Sequence, residues 1–251
     1  MSSNPSDRRP VVLLLGARSN IALATAEVFA RAGWNLQLAA RNAETLQENR
    51  GFFEEQFGVS VTLCEFDVLA ISDHLRFIEA LPELPDAAIC CVGALGDQEH
   101  DQAHPADAVR IMRTNYEGPA QILEALAGRF AQRGSGALVG VSSVAGDRGR
   151  ASNYIYGSAK AGFTAFLSGL RARLVGSGVH VVTVLPGFVA TKMISHLQTP
   201  KPLTASPEAV GRAIYRSVLR CKNRIYVGKL WAPIMWIMRH LPEALFKRIR
   251  F

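Results

Sequence analysis

Long apolar runs are missing from this 251-residue chain. No stretch reaches the roughly 20 consecutive apolar residues that a membrane-spanning helix requires, so a bundle of transmembrane helices is excluded. Cysteine is scarce. The four present, Cys64, Cys90, Cys91 and Cys221, fall in or beside apolar segments and lack the paired spacing of a zinc site or a disulfide framework. That pattern argues for a reducing, cytoplasmic compartment, with no metal site. Internal repeats and low-complexity linkers are absent. The opening MSSNPSDRRP is polar, has no apolar signal segment behind it, and reads as a flexible lead-in over residues 1–10. Hydrophobic residues make up 49 % and charged residues 20 %, which excludes disorder, collagen and coiled coil as the main state.

Acidic residues are almost missing from the C-terminal end. Residues 220–251 hold eight Lys and Arg against Glu243 alone, so the whole net charge of +7 resides there and the rest of the chain is neutral. A nucleic-acid binder would carry its basic excess over a broader face, so no nucleic-acid partner is expected.

What remains is an alternation. Apolar, β-branched runs at 11–15, 36–40, 61–66, 87–92, 137–141 and 179–185 read as strands, with a short last one at 225–227. Helical patterning follows at 21–32, 44–57, 72–81, 115–131 and 156–175, and Ser206-Pro207-Glu208 opens another helix with a serine cap and proline in the first turn. Alternating elements of this length build right-handed βαβ units. The expected fold is α/β: a single doubly wound parallel sheet of the Rossmann type, with helices on both faces. One catalytic domain over 11–228 and an apolar, basic appendage over 229–251 complete the organisation. Ligands of such sheets bind beyond the carboxyl ends of the strands, so residues just after each strand matter most.

After the first strand comes Gly16-Ala17-Arg18-Ser19-Asn20-Ile21. A glycine there allows a tight turn, and the next helix offers free backbone N–H groups to a pyrophosphate. Alone, strand–Gly–helix is common. Arg41 follows the second strand where an acid would bind a free 2′-hydroxyl. Its cation suits a 2′-phosphate instead, with Arg18 able to join it. Asp67, followed by Val68, ends the third strand and is placed either to meet an adenine amine or to cap a helix. Gly93 follows the fourth strand and allows close approach to a ribose. NADP(H) is favoured over NAD(H).

The fifth strand ends at Ser142-Ser143. Tyr156 and Lys160 lie four apart in Tyr156-Gly157-Ser158-Ala159-Lys160, which places them on one helix face with Cβ atoms ~6 Å apart. A nearby ammonium favours phenolate and lowers a tyrosine pKa from about 10 toward the working range. Ser143 is placed to hydrogen-bond a substrate carbonyl oxygen. The trio suits reversible hydride transfer, with the tyrosine handling the proton. Tyr-x-x-x-Lys by itself occurs by chance in many helices, and its weight comes from the serine and the nucleotide features upstream.

Ser143, Tyr156-x-x-x-Lys160, Asn115 in Asn115-Tyr116-Glu117-Gly118, and Pro186-Gly187-Phe188-Val189-Ala190-Thr191 together resemble the short-chain dehydrogenase/reductase family. The resemblance runs from about residue 11 to 191. It implies that Asn115 holds a water in a proton relay through Lys160, and that Lys160 also binds the nicotinamide ribose. It further implies that Pro186, Gly187, Val189 and Thr191 contact the nicotinamide end, and that members pair as homodimers or homotetramers. The chain departs from the pattern where Asn20 and Ala22 replace the second and third glycines of the turn. It departs again where Cys90-Cys91-Val92-Gly93 replaces the usual Asn-Asn-Ala-Gly.

The flanks carry a narrower likeness. Leu95-Gly96-Asp97, residues 146–158, Met193-Ile194-Ser195-His196-Leu197, and the tail from Trp231-Ala232-Pro233 to Met238-Arg239-His240-Leu241-Pro242 resemble family members that reduce a lipid-linked keto-pentose. By that likeness the substrate is the 2-keto group of a polyprenyl-phosphate-linked pentose, and a flavin-dependent oxidase is the partner that makes the ketone. Arg148, Arg150 and Lys192 are then placed to meet a phosphodiester. The tail, from Leu230 to Ile249, alternates apolar residues with Lys and Arg and includes Trp231 and Trp236. Such a segment lies on an anionic membrane surface, at the inner face of the cytoplasmic membrane, or packs on the domain or a second subunit. Another small-molecule carbonyl (3-oxoacyl, steroid or sugar) and a catalytically silent dinucleotide-binding protein are the competing expectations.

Overall fold

The computed structural model describes residues 8–195 and 198–248. Nine strands occur among them: β1 (Val11–Leu15), β2 (Asn35–Ala40), β3 (Val61–Glu65), β4 (Ala87–Cys90), β5 (Gly136–Val141), β6 (Val179–Pro186), β7 (Phe188–Val189), β8 (Thr204–Ala205) and β9 (Arg224–Val227). Seven form one sheet in the order β3-β2-β1-β4-β5-β6-β9, parallel at every pairing. The order reverses between β1 and β4, which opens the crevice where such sheets bind ligands.

Period-two alternation divides the core between the two faces. Val12 and Leu14 join Leu36, Leu38 and Phe29 on one side. Leu13 and Leu15 join Ile122, Phe130 and Phe163 on the other. All five residues of β1 are buried, which is why the strand reads as a continuous apolar run.

The helices are α1 (Asn20–Arg31), α2 (Gln47–Phe57), α3 (His74–Glu79), α4 (Gln98–Ala103), α5 (Pro105–Met112), α6 (Gly118–Arg133), α7 (Tyr154–Arg173), α8 (Pro207–Leu219), α9 (Trp231–His240) and α10 (Glu243–Phe246). Ser19 caps α1 by accepting from the Ala22 N–H, and Ser206 caps α8 by accepting from the Ala209 N–H. The expected helix over 115–131 is built otherwise. Arg113–Glu117 forms a π-turn, and α6 starts only at Gly118. The short α4 and α5 and the small parallel β7–β8 pair escape the sequence pattern. α4 is polar and depends on Asp97, whose carboxylate accepts from the N–H groups of Glu99 and His100.

The tail packs back on the domain. Trp231 and Met235 are buried against Val144 and Leu185, and the Trp231 indole N–H donates to the Leu203 carbonyl at 2.9 Å. Arg148 fixes it further: its guanidinium donates to the carbonyls of Met238 and Leu241, pairs with Glu243, and lies 3.9 Å from the Phe246 ring centroid. Arg148, expected to meet a phosphodiester, instead directs its donors to the tail and anchors it. Residues 1–7, His196, Leu197, Ile249, Arg250 and Phe251 lie outside the described residues.

Candidate active site

A cleft opens beyond the carboxyl ends of β4, β5 and β6. Gly93, Ser143, Tyr156, Lys160, Pro186 and Thr191 line it, and Ile21, Gly187 and Val189 complete one wall. The strands and α7 thus bring Ser143, Tyr156 and Lys160 together, as their spacing requires.

The two serines at the end of β5 are sorted by strand parity. The Ser142 hydroxyl donates to the Lys160 carbonyl at 3.0 Å and meets Thr164 Oγ1 at 2.7 Å, so it ties β5 to α7. Ser143 faces the other way. Its Oγ accepts from the Ala145 N–H at 3.1 Å and hydrogen-bonds the Tyr156 phenol.

Lys160 is buried to 3 % exposure, and its Nζ donates to the Val141 carbonyl at 3.2 Å. It lies 5.8 Å from the centroid of the Tyr156 ring. Burial pulls its pKa down to about 8. The phenol behaves differently from the sequence expectation. Desolvation raises its pKa, opposed by the Ser143 hydrogen bond and the charge of Arg150, so the ammonium is not what governs it in this state. The reason is geometric: sharing a helix face brings the two side chains to one cleft, while the amine is drawn toward a carbonyl at the end of β5.

Asn115 is fully buried in the π-turn. Its amide donates to the carbonyls of Ala94 and Ile111 at 2.7 and 2.9 Å and accepts from the Ala94 N–H at 3.2 Å. A π-turn alters the backbone hydrogen-bond ladder locally, and such turns recur at functional sites. A Cβ on Gly93 would lie 2.9 Å from Asn115 Oδ1 and 3.3 Å from Lys160 Nζ, so only glycine keeps this corner open.

The first turn fits a dinucleotide. Gly16 adopts φ +82°, and a Cβ there would press on Val92 at 3.0 Å. Beyond it α1 points its capped N-terminus at the crevice. Asn20, where the family has glycine, uses its side-chain oxygen to accept from the Lys192 N–H at 3.2 Å, and so clips the turn to the loop after Thr191. Ala22 is buried and leaves the crevice clear. Arg18 and Arg41 are both exposed, and the Arg18 guanidinium reaches the Arg41 carbonyl at 3.4 Å. Asp67 accepts from the Leu69 N–H at 2.9 Å and thus shapes its turn, while Val68 is buried beneath it. Cys90 and Cys91 replace a polar pair behind Lys160, and burial holds both as neutral thiols, Cys90 near 11.

The sequence profile of short chain dehydrogenases matches residues 10–202. The chain belongs to the short-chain dehydrogenase/reductase family. It is 35 % identical over 241 residues to an uncharacterized oxidoreductase of Mycobacterium tuberculosis, covering 95 % of this chain and 96 % of the relative. It is 30 % identical to sulfoacetaldehyde reductase 2 of Chromohalobacter salexigens over 214 residues, 82 % and 81 % of the two chains. Among solved structures, a short-chain dehydrogenase from Sphingobium yanoikuyae in complex with NADPH superimposes with a TM-score of 0.81 at 25 % identity, over 96 % of each chain. This short-chain dehydrogenase is therefore an oxidoreductase with a Rossmann-like fold.

The cleft wall also holds Arg150, expected to meet a phosphodiester, the buried Trp231 of the tail, and Phe188, for which the sequence implies no role. Phe188 lies inside the Pro186–Thr191 motif, and its ring packs edge-on against the Trp231 indole with centroids 5.6 Å apart. Under the tail a second, apolar cavity abuts the cleft and shares Val144, Arg150, Phe188 and Trp231 with it.

Proposed function

We propose that this short-chain dehydrogenase is an NADPH-dependent reductase of a ketone carried on an amphiphile, and that its substrate is the 2-keto group of a polyprenyl-phosphate-linked pentose. The observation that carries this reading is the apolar cavity beneath the tail, lined by Ile234, Met235, Met238 and Phe246 and continuous in its walls with the catalytic cleft. It offers a place for an isoprenoid chain while the sugar lies against Tyr156. The substrate loops and the tail resemble decaprenylphosphoryl-2-keto-ribose reductase. A flavin-dependent oxidase would supply the ketone.

NADPH bound along the crevice supplies the hydride. Its phosphates would lie on Gly16, Ser19, Asn20 and Ile21, its 2′-phosphate between Arg18 and Arg41, and its adenine near Asp67 and Val68. The nicotinamide end would meet Gly93, Pro186, Gly187, Val189 and Thr191. The Ser143 hydroxyl holds the carbonyl oxygen. The Tyr156 phenol, kept protonated by its surroundings, gives its proton to that oxygen as hydride reaches the carbon. Lys160 would hold the nicotinamide ribose, and Asn115 would organise the relay that returns a proton to Tyr156.

A membrane surface is the proposed meeting place for enzyme and substrate. α9 buries Trp231 and Met235 but turns Trp236 and Ile237 outward at 60 % and 56 % exposure, with Leu230 and Leu245 beside them. Lys229, Arg239, Lys247 and Arg248 are exposed in the same segment and would complement anionic headgroups.

The test is NADPH oxidation with a lipid-linked 2-keto-pentose in detergent. Turnover that Y156F abolishes supports the reading. Consumption no faster than that of Y156F refutes it. Turnover of 3-oxoacyl, steroid or free-sugar ketones at higher kcat/KM than the lipid-linked one keeps the chemistry and removes the substrate.

A further inference from the structure

Arg150 occupies the junction of three hollows. With Phe188 it lines the catalytic cleft, the apolar cavity beneath the tail, and a third, more polar hollow bounded by Leu95, Asp97, Gln98 and Asn153. Any substrate that presents its carbonyl to Tyr156 and lays a chain under the tail must pass this guanidinium.

Three cations expected to meet the substrate have different surroundings. Arg148 spends its donors on the Met238 and Leu241 carbonyls and on Glu243, and it stacks on Phe246. It holds the wall of the apolar cavity. Lys192 lies in the loop clipped to Asn20 and is exposed. Arg150 is the cation placed between the reacting phenol and the apolar cavity. It keeps a protein contact of its own, and a guanidinium with five N–H donors in a planar fork serves a second partner as well.

We infer that Arg150 is the specificity-determining residue of the cleft, and that it receives an oxyanionic group of the substrate, a phosphate or a carboxylate, a few bonds from the ketone. This rests on the reductase reading but not on the lipid-linked pentose. The fork geometry suits bidentate contact with either oxyanion. Partial removal from water weakens the hold of Arg150 on its proton, and a ligand anion restores favourable surroundings.

The same charge couples recognition to acidity. Arg150 is close enough to Tyr156 to favour its phenolate. A substrate anion on Arg150 offsets that field and leaves the phenol a proton donor to higher pH. An anionic ketone thereby prepares its own proton source, and a neutral one does not.

The experiment compares matched ketones of equal length, one bearing a terminal phosphate, one a carboxylate and one an amide, with NADPH and the wild type, R150K and R150Q. R150Q should raise KM for the two anionic ketones about 10- to 100-fold, change kcat/KM for the amide less than threefold, and move the alkaline limb of the amide profile to higher pH. R150K should recover part of the affinity. Preference for phosphate or for carboxylate tells which anion the site takes. Equal losses on all three ketones, with the pH profile unmoved, would overturn the inference and leave Arg150 a structural residue. Quenching of protein fluorescence by NADPH checks that R150Q is folded. If the wild type reduces none of the three nor the lipid-linked ketone, the reductase reading fails and takes this one with it; reduction without discrimination sinks this one alone.

Discussion

The indole of Trp231 fills the space in which a side chain on Gly187 would begin. A Cβ at Gly187 would lie 1.9 Å from two atoms of that ring. The loop expected at the nicotinamide end and the first residue of the tail helix are therefore one packed unit. The tail is a wall of the active site, held by Trp231 from one side and Arg148 from the other.

Gly187→Ala should consequently act at a distance. The indole has to move, and its hydrogen bond to Leu203 breaks. We expect a loss of about 1–3 kcal/mol in stability, the usual penalty for overpacking, and a larger rise in KM for long-chain ketones than for short ones. W231A should already carry most of this loss. The double variant G187A/W231A should then melt close to W231A, because the clash is gone. Additive losses in thermal unfolding would show that Gly187 matters for some reason other than Trp231.

Much of the fold was legible because strands buried on both faces leave unbroken apolar runs, as in β1. The candidate trio was legible for a similar reason: helical spacing and strand parity are rigid, so Ser143, Tyr156 and Lys160 had to share the cleft. What failed depended on where side chains end. Four-residue spacing cannot tell that the Lys160 amine turns to the Val141 carbonyl. The π-turn at Arg113–Glu117 is held by its surroundings as much as by its own residues, and has no propensity signature. Arg148 and Arg150 look equivalent two apart in a glycine-containing loop, yet one anchors the tail and the other lines the cleft. The inner face of α9 hides Trp231 and Met235 while Trp236 and Ile237 stay exposed, so the tail packs on the domain and still presents an apolar face.

Lys160 is predicted to weaken the nucleotide-free protein that it serves. Its pKa is about 8 in the fold against 10.5 for a free lysine. Between those values the unfolded chain holds a proton that the native state lacks, so stability rises with pH across that window. Below about 8 both states are protonated, and the native state bears the full cost of a buried ammonium, roughly 3 kcal/mol. Lys160→Met should abolish turnover yet raise the apoprotein Tm by several degrees at pH 7. The gain should fade as pH approaches 10.5. A Tm lowered equally at every pH would mean that the amine stabilises the fold.

Arg41 is the proposed basis of cofactor choice. It is exposed after β2, beside Arg18, with Ala39 and Ala40 preceding it and no acid to bind a free 2′-hydroxyl. R41A should lower kcat/KM for NADPH about 10- to 100-fold and leave that for NADH within about threefold, since a charge-assisted pair to the 2′-phosphate is what disappears. Kinetics with both nucleotides on one ketone decide the matter. Equal losses with NADPH and NADH would place the 2′-phosphate elsewhere.

The outward face of α9 gives a last prediction, which separates where the enzyme works from how it works. Lys229, Arg239, Lys247 and Arg248 are exposed in the segment that carries Trp236 and Ile237, and each cation near an anionic bilayer is worth about 1 kcal/mol at moderate salt. The protein should co-sediment with vesicles containing phosphatidylglycerol and be released by high salt, because the attraction is screened beyond a Debye length. Replacing both Trp236 and Ile237 by serine should weaken vesicle binding several-fold. Turnover of a short soluble ketone should be unchanged, because the inner residues Trp231 and Met235 that wall the cleft and cavity are untouched. Equal binding to neutral vesicles at any salt, or none to either, would leave this face without a membrane role.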